Sequence, residues 1–135
     1  MVSVYLSSRY KDYRYLQKIR EVLNKEGIDV TSQWIYGGQE ATAKCGDQEK
    51  CRYANQDLTD LYAADVLVIW SLPKNFGKGT GGRHVELGIA LALDKPIILV
   101  GKRENIFHWL KQITVTPSDK NLAGVIRSVY PAPRR

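Results

Sequence analysis

Asp65-Val-Leu-Val-Ile-Trp70 is a short, continuous apolar run entered through a single acidic residue. A run of this length, without polar alternation, suits a strand covered on both faces, which is what a parallel sheet requires. Before it, Arg52 to Ala64 carries Leu58, Leu61 and Tyr62 at helical spacing, so a helix is expected with those three on its inner side. After it comes the glycine-rich loop Pro73-Lys-Asn-Phe-Gly-Lys-Gly-Thr-Gly-Gly82, then a helix from Arg83 to Leu93 and another apolar strand, Pro96-Ile-Ile-Leu-Val100. Further out, Val2 to Leu6 alternates and is β-rich, and Lys11 to Lys25 repeats Tyr15, Leu16, Ile19, Val22 and Leu23 at helical spacing before Gly27 ends the helix. Ile28 to Ile35 reads as a strand, and Gly37-Gly38 opens a polar loop to about Lys50. Toward the C-terminus, Asn105 to Leu110 reads as a short helix and Ile113 to Val115 as a last strand, with Ser118 or Asp119 capping a helix through Val129.

Strand and helix alternating at this spacing predict an α/β fold: a single-domain, doubly wound parallel sheet over residues 1–135, in the flavodoxin-like order 2-1-3-4-5. In such sheets ligands bind beyond the carboxyl ends of the strands, where the strand order reverses. That edge gathers Ser7 to Tyr10, Trp34 to Gly38, Ser71 to Gly82, and Gly101 to Asn105. No internal repeat, low-complexity tract or linker interrupts the chain.

Composition narrows the function classes. With 135 residues, 44% hydrophobic and 25% charged, the chain can bury an ordinary core without disulfides or metal. A formal charge of +6 fits an anionic ligand. Lys and Arg are spread from Arg9 to Arg135 without a dense basic run or an aromatic platform, which argues against a nucleic acid polymer as partner. No apolar run is long enough to span a membrane, and Met1-Val-Ser-Val-Tyr-Leu6 lacks the pattern of a signal peptide, so a cytoplasmic protein is expected. Cys45 and Cys51 match no zinc spacing and read as reduced loop thiols, with a redox pair as the alternative.

The candidate chemistry lies around the glycine loop. Gly79, Gly81 and Gly82 allow a close approach of backbone to ligand, and the next helix aims its free N–H groups at the same place. The spacing is neither that of a P-loop nor that of a Rossmann fingerprint. Glu86 falls in the first turn of that helix, where it either faces a ligand or merely complements the helix dipole. Asp57, Asp60 and Asp65 are acidic candidates that could equally be solvated residues or caps, and His84 reads as a structural or substrate-positioning residue. No serine or cysteine stands in a plausible nucleophilic triad.

Asp57-Leu-Thr-Asp-Leu-Tyr-Ala-Ala-Asp65-Val-Leu-Val and Gly79-Thr-Gly-Gly-Arg-His-Val-Glu86-Leu-Gly-Ile-Ala-Leu-Ala-Leu-Asp-Lys-Pro-Ile resemble the nucleoside 2-deoxyribosyltransferase family. Val4-Tyr5-Leu6 and Ser7-Ser8-Arg9 are similar to the opening of that family and of the related 2'-deoxynucleoside 5'-phosphate N-hydrolases. The resemblance runs from Val2 to about Leu110. It implies that Glu86 is a nucleophile attacking the anomeric carbon, that Asp57 is the acidic residue near the departing base and the sugar, and that Tyr5 helps to hold the nucleophilic carboxylate. It further implies that Ser7, Ser8 and Arg9 lie where nucleotide hydrolases hold a 5'-phosphate. Gly81, Gly82 and Arg83 are placed with the substrate, and Trp34 is expected either to stack on the base or to pack in the core.

Breaking a C–N glycosidic bond builds positive charge on the sugar, which a carboxylate beneath the anomeric carbon stabilises. One nucleophilic and one acidic carboxyl group is the logic of a retaining glycosidase, and it requires no metal or organic cofactor. The family's active forms are oligomers, which implies a homodimer or higher homo-oligomer acting on a small nucleoside or nucleotide. Thr80 stands where some transferases carry an acidic base-recognising residue, and the ending Pro131-Ala-Pro-Arg-Arg135 lacks the asparagine and carboxylate that transferases lend to a neighbouring subunit. Base preference and the choice between transfer and hydrolysis are therefore open. A non-catalytic nucleotide-sensing module is the alternative reading, and NAD cleavage a more distant one.

Overall fold

Five parallel strands form one sheet in the order β2-β1-β3-β4-β5, in the computed structural model, which describes residues 1–37, 46–73 and 81–131. The strands are β1 (Ser3–Ser7), β2 (Asp29–Val30), β3 (Val66–Trp70), β4 (Ile97–Val100) and β5 (Ile113–Thr116). Helices α1 (Tyr13–Lys25), α2 (Asp47–Ala63), α3 (Gly81–Ala92) and α4 (Leu122–Val129) connect or follow them in a single domain. The expected order 2-1-3-4-5 is the one observed. The loop stretch 38–45 with Cys45, the stretch 74–80 with Gly79 and Thr80, and the last four residues lie outside the described part.

β3 explains the sheet. Val66, Leu67, Val68 and Ile69 are all inaccessible to solvent, because helices cover both faces of the central strand. β1 pairs with it in the register Tyr5 to Leu67 and Ser7 to Ile69. Side chains alternate across a strand, so Tyr5 and Ser7 project from one face and Leu6 from the other.

Some local expectations shift. The second strand is shorter than Ile28 to Ile35: it pairs only at Asp29 and Val30, and Gln33–Tyr36 then forms a 3-10 turn. The cause lies in the polar partners. Thr31 Oγ1 donates to the Asp60 carbonyl at 2.7 Å, and the Ser32 hydroxyl accepts the Leu6 N–H at 3.1 Å in place of a strand partner. In α1, Leu16 and Leu23 are buried while Tyr15 and Val22 face outward. In α2, Leu61 is buried but Leu58 and Tyr62 are exposed, because the inward face instead carries Asp60. The helix-capping role expected of Ser118 or Asp119 also differs, since Asn121 precedes α4. Asp119 instead accepts from Tyr15 Oη at 2.5 Å and from Trp70 Nε1 at 3.1 Å.

Gly101, after β4, adopts φ +114°, and a Cβ there would stand 1.9 Å from Ser71 Oγ. Only glycine lets the β3 and β4 exits pass so closely. Among the described residues no helix is long and apolar enough to cross a membrane.

Candidate active site

The strand order reverses between β1 and β3, and the sheet's carboxyl edge there holds a cluster of hydrogen-bonded polar groups. Ser7 is the last residue of β1, and its hydroxyl, wholly buried, donates to Glu86 Oε1 at 2.7 Å. Tyr5, two residues earlier on the same face, donates its hydroxyl to Glu86 Oε2. One strand therefore grips both oxygens of a carboxylate delivered by α3. The helix presents it because Arg83, Leu87 and Ala90 are the buried positions, and Glu86 shares their face.

The electrostatics follow from this packing. Burial pushes the Glu86 carboxyl up to about 7, with the hydrogen bonds from Tyr5 and Ser7 and the charge of Arg83 opposing that rise and the charge of Asp57 adding to it. Burial, together with the charges of Glu86 and Asp57, drives the Tyr5 phenol far above its ordinary range, so it is a permanent proton donor. Asp57, half-buried on α2, thus acts on both members of the pair.

Asp60, one turn further along α2, has a different task. It is 5% exposed and receives the Gln33 N–H at 2.9 Å and Gln33 Nε2 at 2.8 Å, fastening the segment after β2 to the helix that carries Asp57. Asp65 likewise accepts from Ser3, through its N–H at 3.0 Å and its hydroxyl at 3.2 Å, and locks the start of β3.

The remaining expected residues separate into two groups. Ser8 Oγ donates to Asp12 at 2.7 Å, and Arg9 Nε reaches the same carboxylate at 3.0 Å, so both sit at the rim beside Ser7. Gly81 and Gly82 are the first residues of α3, not loop, and a Cβ on either would meet no atom of the described residues within 4 Å. Trp34 goes into the core, 5% exposed, with Nε1 donating to the Leu6 carbonyl at 2.8 Å. Arg83 is 3% exposed and turns away from the Glu86 oxygens, giving hydrogen bonds to the Trp70 carbonyl at 2.9 Å and to Glu104 Oε1 at 2.8 Å. Glu104 escaped the sequence reading because nothing in its neighbourhood marks it; its Arg83 partner is 21 residues away. His108 escaped it too: it is fully buried, with Nδ1 accepting the Glu104 N–H at 2.9 Å. Among the described residues no group of three or more His, Cys, Asp or Glu is placed to hold a metal ion.

A doubly wound parallel sheet carries a gripped carboxylate at its switch point here, the place where α/β sheets of this kind bind ligands. The nucleoside 2-deoxyribosyltransferase family model matches residues 4–121, and the chain belongs to that family. It is thereby homologous to enzymes that transfer or hydrolyse nucleoside N-glycosidic bonds. Among solved structures, the 2-deoxyribosyltransferase of the psychrotolerant bacterium Bacillus psychrosaccharolyticus is similar at 19% identity, with a TM-score of 0.70 over 90% of each chain. A conserved protein from Enterococcus faecalis V583 is similar at 16% identity and a TM-score of 0.63, over 95% of this chain and 98% of that one. The Clostridium botulinum CMP N-glycosidase is similar at 16% identity and a TM-score of 0.54, over 92% of this chain and 97% of that one. At these identities the likeness is one of fold. No curated protein matches the sequence.

Proposed function

We propose that the protein cleaves, and in the presence of a second base transfers, the N-glycosidic bond of a nucleoside or 5'-nucleotide, with Glu86 as nucleophile. The observation that carries this reading is the two-point grip of Tyr5 and Ser7 on the Glu86 carboxylate. A carboxylate bonded at both oxygens from one strand is held in one orientation, as attack on an anomeric carbon needs. Glu86 forms the glycosyl bond as the C–N bond breaks, Asp57 gives a proton to the departing base, and water or another base then takes the sugar from Glu86. Tyr5 and Ser7 steady the carboxylate and take up its charge as it becomes a leaving group.

In this reading Ser8, Arg9 and the N-terminus of α3 at Gly81 and Gly82 meet the 5' end of the sugar, and Arg83 supports the site from below through its field on Glu86. In this reading the protein needs neither cofactor nor metal and works in the cytosol. Exposed Ile106, Phe107, Trp109 and Leu110 in and after the 3-10 turn Ile106–Trp109 support assembly into a homodimer or larger homo-oligomer.

The test is chromatographic detection of free base after incubation with deoxynucleosides and 5'-monophosphates, with and without a second base, and with NAD as a separate arm. Glu86→Ala is expected to abolish base release while ligand binding stays within about tenfold, because loss of a nucleophile acts on the transition state. Equal loss of binding and turnover contradicts the nucleophile role. A thermal shift without base release from any substrate favours the sensing module.

A further inference from the structure

A concavity whose described lining leaves out Tyr5, Ser7 and Glu86 opens at the carboxyl edge of the sheet. It is a cleft of about 990 Å³ beyond the ends of β3, β4 and β5, walled by Ser71 and Leu72 on one side and by Gly101 to Asn105 on the other. That volume is at the upper end of small-ligand sites. Among the described residues, the cations Arg83, Lys102 and Arg103 and the carboxylate of Glu104 line it, together with His84.

The cationic wall is held in place. The Lys102 N–H donates to Ser71 Oγ at 3.0 Å, which ties the β4 exit to the β3 exit. Arg103 lies over the Trp109 ring, 4.0 Å from its centroid, and its Nε donates to the His108 carbonyl at 3.2 Å. Its two terminal nitrogens make no hydrogen bond among the described residues. The Glu104 N–H is bound by the buried His108. Arg83, 3% exposed, is already paired with Glu104 through bonds at 2.8 and 3.2 Å, so the cations of the cleft that lack a carboxylate partner among the described residues are Lys102 and Arg103.

We infer that this cleft is a second binding site, distinct from the Tyr5–Ser7–Glu86 cluster, for a ligand bearing a phosphate or pyrophosphate group. Arg103 offers a planar pair of donors of the kind that suits phosphate oxygens, and Lys102 a mobile point charge beside it. Because Ser8, Arg9 and the start of α3 are assigned to the 5' end of the nucleotide that Glu86 meets, the phosphate in the cleft is that of a separate effector.

The probe is inorganic pyrophosphate, titrated calorimetrically at low ionic strength against the full chain and against Glu86→Gln. Turnover plays no part in this readout, so a failure of the glycosidase reading leaves it intact. Saturable binding of equal strength to both proteins is expected, weakened at least tenfold by Lys102→Glu and by Lys102→Ala with Arg103→Gln. Lys102→Glu is the safer variant, because the Lys102 side chain is exposed and makes no hydrogen bond among the described residues. Absence of binding to the full chain, or binding unchanged in Lys102→Glu, overturns the proposal. In the Glu86→Gln protein, pyrophosphate binding that persists with a saturating deoxynucleoside present is expected, and its displacement by the deoxynucleoside overturns a site distinct from the Tyr5–Ser7–Glu86 cluster.

Discussion

Tyr5 and Glu86, 81 positions apart in the chain, meet through a hydrogen bond in which the phenol donates to one carboxylate oxygen. Ser7 takes the other oxygen from the same strand. The carboxyl group is at once buried, which opposes its ionisation, and solvated by two fixed hydroxyls, which favours it. Its titration near 7 is the balance of the two.

Removing a donor should tip that balance. Tyr5→Phe and Ser7→Ala each take away a hydrogen bond that lowers the Glu86 pKa, so the acid limb of kcat/KM should move to higher pH. The Tyr5 change should also cost about 10–100-fold in kcat, as loss of a charge-stabilising donor does. A pH–rate profile measured between about pH 5 and 9 decides it, and an unmoved acid limb contradicts the coupling.

Asp57→Asn should shift the same limb the other way. The Asp57 charge raises Glu86, so its neutralisation makes Glu86 ionise at lower pH while the acid that serves the leaving base is lost. The expected outcome is a lower kcat with an acid limb displaced downward. Opposite displacements in Tyr5→Phe and Asp57→Asn would separate the two roles more cleanly than either loss of rate.

Stability should carry the same signature. Glu86 titrates at about 7 in the fold against an ordinary 4.5, so the folded state holds this proton more tightly than the unfolded chain. Its contribution is complete below the ordinary value and is lost as pH rises through about 7. Glu86→Gln should therefore be more stable than the native protein at about pH 8.5, by roughly 1–3 kcal/mol, and nearly equal to it at about pH 4. Urea denaturation at the two pH values measures this, and a difference independent of pH contradicts it.

Asp60→Ala tests the scaffold. It strips the Gln33 N–H and amide of their buried acceptor, at an expected cost of about 1–3 kcal/mol in chemical denaturation. Because α2 also carries Asp57, the acid limb of any pH–rate profile should shift as well, in the direction seen for Asp57→Asn, since Asp57 is then held less closely to Glu86.

The sheet was legible because parallel strands announce themselves. Val66 to Trp70 and Ile97 to Val100 need apolar residues on both faces, and their shortness and β-branched content set them apart from a buried helix segment. β2 was overread because Trp34 and Ile35 look like strand residues, yet both are buried from a 3-10 turn that the Asp60 carboxylate holds. α2 was misoriented for a related reason: its inward face is set by a polar contact, which hydrophobic spacing does not record. Tyr5, Asp57 and Glu86 were found through family resemblance, and the structure brings them within electrostatic reach of one another. The bond from Ser7 to Glu86 was not foreseen, since a serine at a strand end carries no mark of the side chain it will meet. Arg83 was assigned to the substrate from its place beside the glycines, and its burial against Glu104 depends on a loop distant in sequence.

The grip on Glu86 comes from β1, and Glu86 itself follows 81 and 79 residues after its two partners, Tyr5 and Ser7. Contacts of such long sequence separation are slow to form, because a large loop must close first. On the ribosome β1 must wait for β3 and α3 to emerge before its hydroxyls find this acceptor. A nascent or clipped chain ending before α3 therefore carries Tyr5 and Ser7 with nothing to orient, and the carboxylate is fixed only when the sheet is closed around it.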